Sequence, residues 1–217
     1  MKPVFTIAKR LLASNRLSFF ITMLVVFLAT TSADSPIALS RGNYTWLLAL
    51  MSPFFFVFYD YAKLIHLGAT KKDYYLGSLV SYGILAFLMS AVNTFIRLVI
   101  DPLNQTQTTV NLMDVCGWWQ NGPFLAAMQQ FLFLLLVMVF LHVLLSVQSH
   151  WYGWLADILL AAVVCVFTPI APLRGILSKF FGAVMLNGDA LPHLGICLAL
   201  TAVFALLGLE ALKRKTI

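Results

Sequence analysis

Charge is the scarcest ingredient of this 217-residue chain: Asp, Glu, Lys and Arg together make up 10% of it. Soluble domains carry about 25% charged residues, so an ordinary water-facing surface is excluded. Acids are scarcer than bases, eight against fourteen, leaving a formal charge of +6. The basic excess forms no stripe of the kind that tracks a phosphate backbone, so no nucleic-acid partner is expected. Cysteine is also sparse. Cys116, Cys165 and Cys197 give neither a disulfide framework nor metal-ligand spacing, and two of them read as small packing residues in apolar runs. Catalytic patterns are missing as well. His66, His142, His150 and His193 stand in no H-E-x-x-H arrangement, and no G-x-S-x-G occurs. The stretch "GATKKD" has Asp73 where a Walker A loop requires its second glycine, and a carboxylate there repels phosphate. The chain is therefore read as a non-enzyme with no catalytic residue, no metal site and no cofactor of its own.

Apolar length is what the chain has. Hydrophobic residues make up 61% of it and the mean hydropathy is +0.92, which points to the bilayer as its solvent. A spanning helix takes about 20 apolar residues. Six stretches approach that, near residues 17–33, 45–63, 77–99, 124–147, 153–169 and 193–211. The first is expected to be retained, because no convincing small-residue cleavage site follows it. The expected fold class is thus all-α, a polytopic membrane protein with six spans in a single domain and no internal repeat.

Basic residues orient it. Ten of the fourteen precede the first span, lie between spans two and three, or end the chain, Lys215 among them. Asp34, Asp101, Asp114 and Asp189 fall in the opposite loops. The positive-inside rule then puts both termini in the cytoplasm of a multi-pass protein. Trp46, Trp118 and Trp119 would mark the outer boundary, and Trp151 and Trp154 the inner one. Two N-x-[ST] triplets, at Asn43 and Asn104, lie on the expected outer side and are weak glycosylation matches.

Two pieces are neither span nor plain loop. Residues 3–13 place Val4, Ile7, Leu11 and Leu12 near one helical face with Lys9 and Arg10 off it, which predicts an amphipathic helix at the inner membrane surface. Residues 171–188 have an apolar centre too short to cross, predicting an outer re-entrant or surface helix between spans five and six. Of the acids near the inner ends, Asp60 has Lys63 at i+3 and Glu210 has Lys213 and Arg214 at i+3 and i+4. Asp157 has no local partner. A lone histidine such as His142 inside a span is expected to bond a neighbouring helix. Asn93, Gln129, Gln130 and Asp157 are the polar residues expected along any pathway.

"HLGATKKDYY", residues 66–75, is the densest polar knot between two spans. Gly68 suits a left-handed helix stop, and Thr70 with Asp73 three residues on suits a helix start. Lys71 and Lys72 break the local rule, since cations oppose the positive end of a helix. Topology alone would accept lysines anywhere in the loop. Their place in a tight turn beside Leu64, Ile65, Leu67 and Ala69 suggests a docking knob for an acidic partner surface.

The layout resembles the permease subunit of an ABC-2 type exporter, the architecture shared with ABCG-like transporters. An inner-surface helix precedes six spans, with a knob between spans two and three and an outer re-entrant element between spans five and six. The segment "LGATKKDYYLGSLVSYGIL", residues 67–85, is similar to the corresponding region of small bacterial permeases of that class, where "LG-[AV]-[ST]-[RK]-K" precedes aromatics. The resemblance implies a bacterial cell-membrane protein without ATPase motifs, working with a separate ATP-binding cassette subunit that holds ATP and Mg. It implies a second permease chain, a coupling loop over 61–74 (Leu64, Ile65, His66, Leu67, Ala69, Thr70, Lys71, Lys72, Asp73, Tyr74), and a connecting helix carrying Lys9 and Arg10. The chain has no large outer domain, which favours export over sensing. The few charges in its spans suit a hydrophobic or amphipathic cargo: antimicrobial peptide, drug or lipid. Two alternatives stay open: the membrane substrate-binding component of a vitamin importer, and a non-transporting membrane assembly protein.

Overall fold

The computed structural model describes residues 2–28, 37–103, 108–148 and 150–214. Residues 29–33 of the first expected span, together with Asp34, Asn104 and Lys215, lie outside the described residues. The first helix, α1 (Lys2–Ser14), buries Ile7, Ala8 and Leu11 and exposes Lys9 and Arg10, as its spacing predicts. The chain bends at Asn15 into the short apolar helix α2 (Arg16–Leu28).

A second rod, residues 41–66, begins with a 3-10 turn and runs through α3 (Thr45–Phe54), a π-helical stretch (Phe55–Asp60) and α4 (Tyr61–His66). Pro53 supplies no backbone N–H, and the wider turn begins two residues later, where an irregular helix is least costly. The third rod is α5 (Lys71–Phe95) with a second π stretch (Ile96–Ile100) and a closing 3-10 turn at Asp101–Leu103. After the one-turn helix α6 (Leu112–Val115), Pro123 starts α7 (Pro123–Val147) at the position where a missing N–H does no harm. The remaining helices are α8 (Trp151–Phe167), α9 (Ala171–Val184) and α10 (Ala190–Arg214).

α7 is apolar all round and takes the centre, packing on α10, α5 and α3. Helix α1 lies against the first third of α5, where Gly77 admits it: a Cβ there would come within 2.8 Å of Ile7 Cγ2. The all-α expectation misses one feature. The three-residue strands β1 (Ile37–Leu39) and β2 (Thr108–Val110) pair in parallel, Ala38 opposite Thr109, and tie the start of rod two to the far end of rod three.

Among the described residues, four helical rods are long and apolar enough to cross a membrane: 41–66, 71–103, 123–147 and 190–213. The expected fifth span and re-entrant element correspond to α8 and α9, which are bent by 118° at residues 168–170, the geometry of a broken span or a re-entrant hairpin. Counting that pair as one span makes five. Nearly all of α8 is exposed, with Gly153 its one buried residue.

Candidate functional site

The turn between α4 and α5 is built by two local motifs. Gly68 takes φ +87°, a region closed to most side chains. Its N–H bonds Ile65 O at 2.9 Å and the Ala69 N–H bonds Leu64 O at 3.0 Å, the paired bonds of a Schellman stop. Thr70 then caps α5. Its hydroxyl accepts from the Asp73 N–H at 3.1 Å and donates to Asp73 Oδ2 at 2.8 Å. Two helix ends with their backbone groups satisfied make a rigid knob over residues 67–73.

The ten residues expected to couple divide into two sets. His66, Leu67, Thr70 and Lys72 face outward, Leu67 with 62% of its surface exposed. Leu64 and Tyr74 are buried, Ile65 and Ala69 pack on the core as half-buried residues, and Lys71 and Asp73 are half-buried. The knob therefore has an outer face and a root.

The root is aromatic. Tyr74, 0% exposed, donates its hydroxyl to Phe56 O at 2.8 Å, within the π stretch, and meets the Tyr61 ring edge-on at 5.1 Å. A π stretch offsets the regular hydrogen-bond ladder, and a side chain can then reach a main-chain carbonyl inside the helix. Tyr82, two turns further along α5, stacks on the Phe56 ring at 5.2 Å and shares a 2.7 Å hydrogen bond with His142 Nδ1 on α7. His142 thus bonds a neighbouring helix, as expected of a histidine in an apolar run. The other end of the π stretch carries Asp60, which accepts hydrogen bonds from Ser14 Oγ at 3.1 Å and from Asn15 Nδ2. The charge of Lys63 at i+3 still acts on the carboxylate, as its spacing predicts, while Lys63 itself stays exposed. The α1–α2 bend, rod two, α5 and α7 therefore meet at residues 56–60.

Beside the knob, α5 begins where α10 ends. Lys71 Nζ donates to Lys213 O at 3.3 Å, and Lys213 Nζ pairs with Glu210 Oε2 at 2.8 Å, the local pairing expected for Glu210. The knob and the end of α10 thus share one end of the molecule.

At the opposite end, polar side chains form a buried chain. Ser40 Oγ donates to Asp101 Oδ1 at 3.0 Å, Asn111 Nδ2 donates to Ser40 Oγ and Asn93 Oδ1 at 3.1 and 2.9 Å, and Asn93 Nδ2 donates to Gln130 Oε1 at 3.0 Å. Asn121 Nδ2 donates to Gln129 Oε1 at 3.0 Å and to Gly188 O, while Gln129 Nε2 donates to Asn187 O at 3.3 Å. Arg97 pairs with Asp114 at 2.9 Å and stands 5.3 Å from the Trp119 ring centroid. Trp118 is fully buried and stacks on Trp46.

Of the residues expected along a pathway, Asn93, Gln129 and Gln130 are enclosed by the chain's own helices. Asp157 has a partner that helical spacing did not show: Gln148 Nε2, from the residue after α7, at 2.5 Å. Lys9 and Arg10 lie exposed on α1. Ser14, Asn15, Phe56 and Tyr82 were missed as site residues. The signal for Tyr82 was present, because a tyrosine in an apolar helix must find a partner for its hydroxyl.

Among the described residues no group of three or more His, Cys, Asp or Glu side chains converges as a metal site would require. What the site offers is mechanical: an exposed rigid knob whose root enters the helix core. No protein-family model, no curated protein and no solved structure matches the chain significantly.

Proposed function

We propose that this chain is the permease subunit of a bacterial ABC-2 type exporter, driven by ATP hydrolysed on a separate subunit. The observation that carries the reading is the capped knob at 67–73, because it combines an outward apolar and basic face with a buried aromatic root. A partner pressing on Leu67, His66 and Lys72 would displace Tyr74, and with it the Phe56 carbonyl and the Tyr82–His142 contact. A slack loop would absorb such a displacement; a knob closed by two caps transmits it. In this reading the knob end is cytoplasmic, α2 and α8 belong to the remaining two of six spans, and α9 is the outer re-entrant element. Two copies work with two ATPases. The mostly exposed, apolar α8 and α9 suit lipid and a second copy, and a hydrophobic or amphipathic cargo moves between the copies.

The test is co-purification with candidate ATP-binding cassette proteins, followed by ATP hydrolysis in proteoliposomes. Leu67→Asp places a charge on the outer face without touching the root. It is expected to cut recovery of the ATPase at least tenfold and to abolish cargo-stimulated hydrolysis. Failure of any such ATPase to associate with the wild-type chain, or normal coupling by Leu67→Asp, would sink the proposal.

A further inference from the structure

We propose that α9 is a headgroup-binding helix, held at the phosphate level of an anionic bilayer by Arg174 and Lys179. Both cations are exposed, and the helix carries no acid. At the helical repeat they fall on opposite borders of a broad apolar sector. Leu173, Leu177 and Val184 form the middle of that sector and turn inward, half-buried or buried. Ile176 and Phe181 form its shoulders, beside the cations, and are exposed like Phe180. On the other side, the strip between the cations holds Ala171, Gly175, Ser178 and Gly182. A Cβ at Gly175 or Gly182 would meet nothing within 4 Å, so a phosphate can come in close between the two charges.

Water suits the cations but not the apolar side chains next to them, and hydrocarbon suits the side chains but not the cations. The headgroup boundary satisfies both, because the long stems lie along apolar surface while the charged heads reach phosphate.

The bend after α8 sets the level. α9 leaves α8 at 118°, nearer a right angle than a reversal, so with α8 crossing the bilayer α9 runs closer to the membrane plane than to its normal. The re-entrant element is then a shallow one. Its far end is pinned at the end of the molecule opposite the knob. His193 Nε2 donates to Val184 O at 2.9 Å, and Asn187 O and Gly188 O accept from Gln129 and Asn121. At that end Arg97 has Asp114 as its counter-charge; for the cations of α9, lipid phosphate supplies it. Free phosphate would leave the apolar shoulders in water, so the partner is a lipid surface and not a soluble anion. The proposal rests on α8 crossing the membrane and not on the exporter reading.

The experiment attaches bimane to Phe180→Cys in a cysteine-free full chain, reconstituted without an ATPase in vesicles of phosphatidylglycerol and phosphatidylcholine in equal parts. Quenching is compared when one lipid or the other carries brominated acyl chains. It should show phosphatidylglycerol enriched about fivefold or more beside α9. Arg174→Gln/Lys179→Gln should remove the enrichment, whereas Lys63→Gln, exposed at the knob end, should leave it unchanged. If the double variant does not fold, Lys179→Gln alone must lower it. Sodium phosphate should weaken the enrichment no more than sodium chloride of equal ionic strength. Equal quenching by the two lipids, unchanged enrichment in the α9 variants, or a specific effect of free phosphate overturns the proposal. So does protection of the label from both lipids, the outcome if a second copy covers this face. A chain that gathers phosphatidylglycerol here but recruits no ATPase overturns only the exporter reading.

Discussion

Asp60 shows how individual residues choose their partners here. Helical spacing sets Lys63 three residues away, and its charge does act on the carboxylate, yet the hydrogen bonds come from Ser14 and Asn15, 46 and 45 residues earlier. A lysine at a helix end gains more from water or headgroups than from a buried acid, while neutral donors satisfy the acid without burying a second charge. Asp157 follows the same pattern with Gln148. Such partners are amides and hydroxyls, which carry no charge signature in a sequence. The one buried thiol outside the apolar rods makes a testable case. Cys116 is 2% exposed, and burial pushes its thiol from 9.0 up to about 11. Below pH 9 both folded and unfolded chains keep the proton. As pH rises from about 9 to about 11 the unfolded chain loses it first, so this group's contribution to stability is lost across that window. In a Cys165→Ser/Cys197→Ser background, maleimide labelling of Cys116 should therefore be slow at pH 8 and fast after denaturation. Rapid labelling of the folded protein at pH 8 would refute the buried placement.

At the level of elements, the turn at 67–73 was readable in advance because every bond in it is local. Gly68, Thr70 and Asp73 act on neighbours within five residues, so residue type and spacing suffice. Helix α1 was only half readable. Its amphipathic spacing identifies the buried face, but not that this face meets α5 at Gly77. A membrane surface and a helix surface accept the same apolar stripe. The packing can be tested with Ile7→Asp, which sets a carboxylate against α5. By analogy with large-to-small core changes, about 3 kcal/mol of docking should be lost, and trypsin should cut after Lys9 and Arg10 at least tenfold faster. Unchanged cleavage would mean that α1 is held by something other than this face. The 118° bend between α8 and α9 also belongs at this scale. Pro169 and Pro172 flag a break, and neither sets its angle.

Across the whole molecule, lysines and buried amides gather at opposite ends. Lys71, Lys72 and Lys213 gather where α5 begins and α10 stops, and the Lys71–Lys213 contact joins these sites across 142 residues. The amide chain from Asp101 to Gln130 closes the other end. Interhelical hydrogen bonds of this kind are worth about 0.6 kcal/mol each on average in a bilayer, so they set the fit of the rods more than their stability. The arrangement predicts sidedness. In a cysteine-free background reconstituted in sealed vesicles, Leu67→Cys and Lys213→Cys should be labelled from one side by a membrane-impermeant maleimide, and Gln120→Cys from the other. Labelling of Leu67→Cys and Lys213→Cys from opposite sides would break the shared end of α5 and α10.

Read alone, the order of amino acids is enough for four of the six expected rods, the knob and its two caps, and the amphipathic face of α1. All of these rest on composition over a helix length or on bonds a few residues long. The tertiary structure alone decides that Asn93, Gln129 and Gln130 bond within the chain, that Trp118 is core, and that two short strands join distant loops. It also brings the lysines of the knob to the end of α10. Those outcomes depend on which rods touch and at what height. In a chain that is apolar nearly everywhere, hydrophobicity distinguishes one contact from another too weakly to set either.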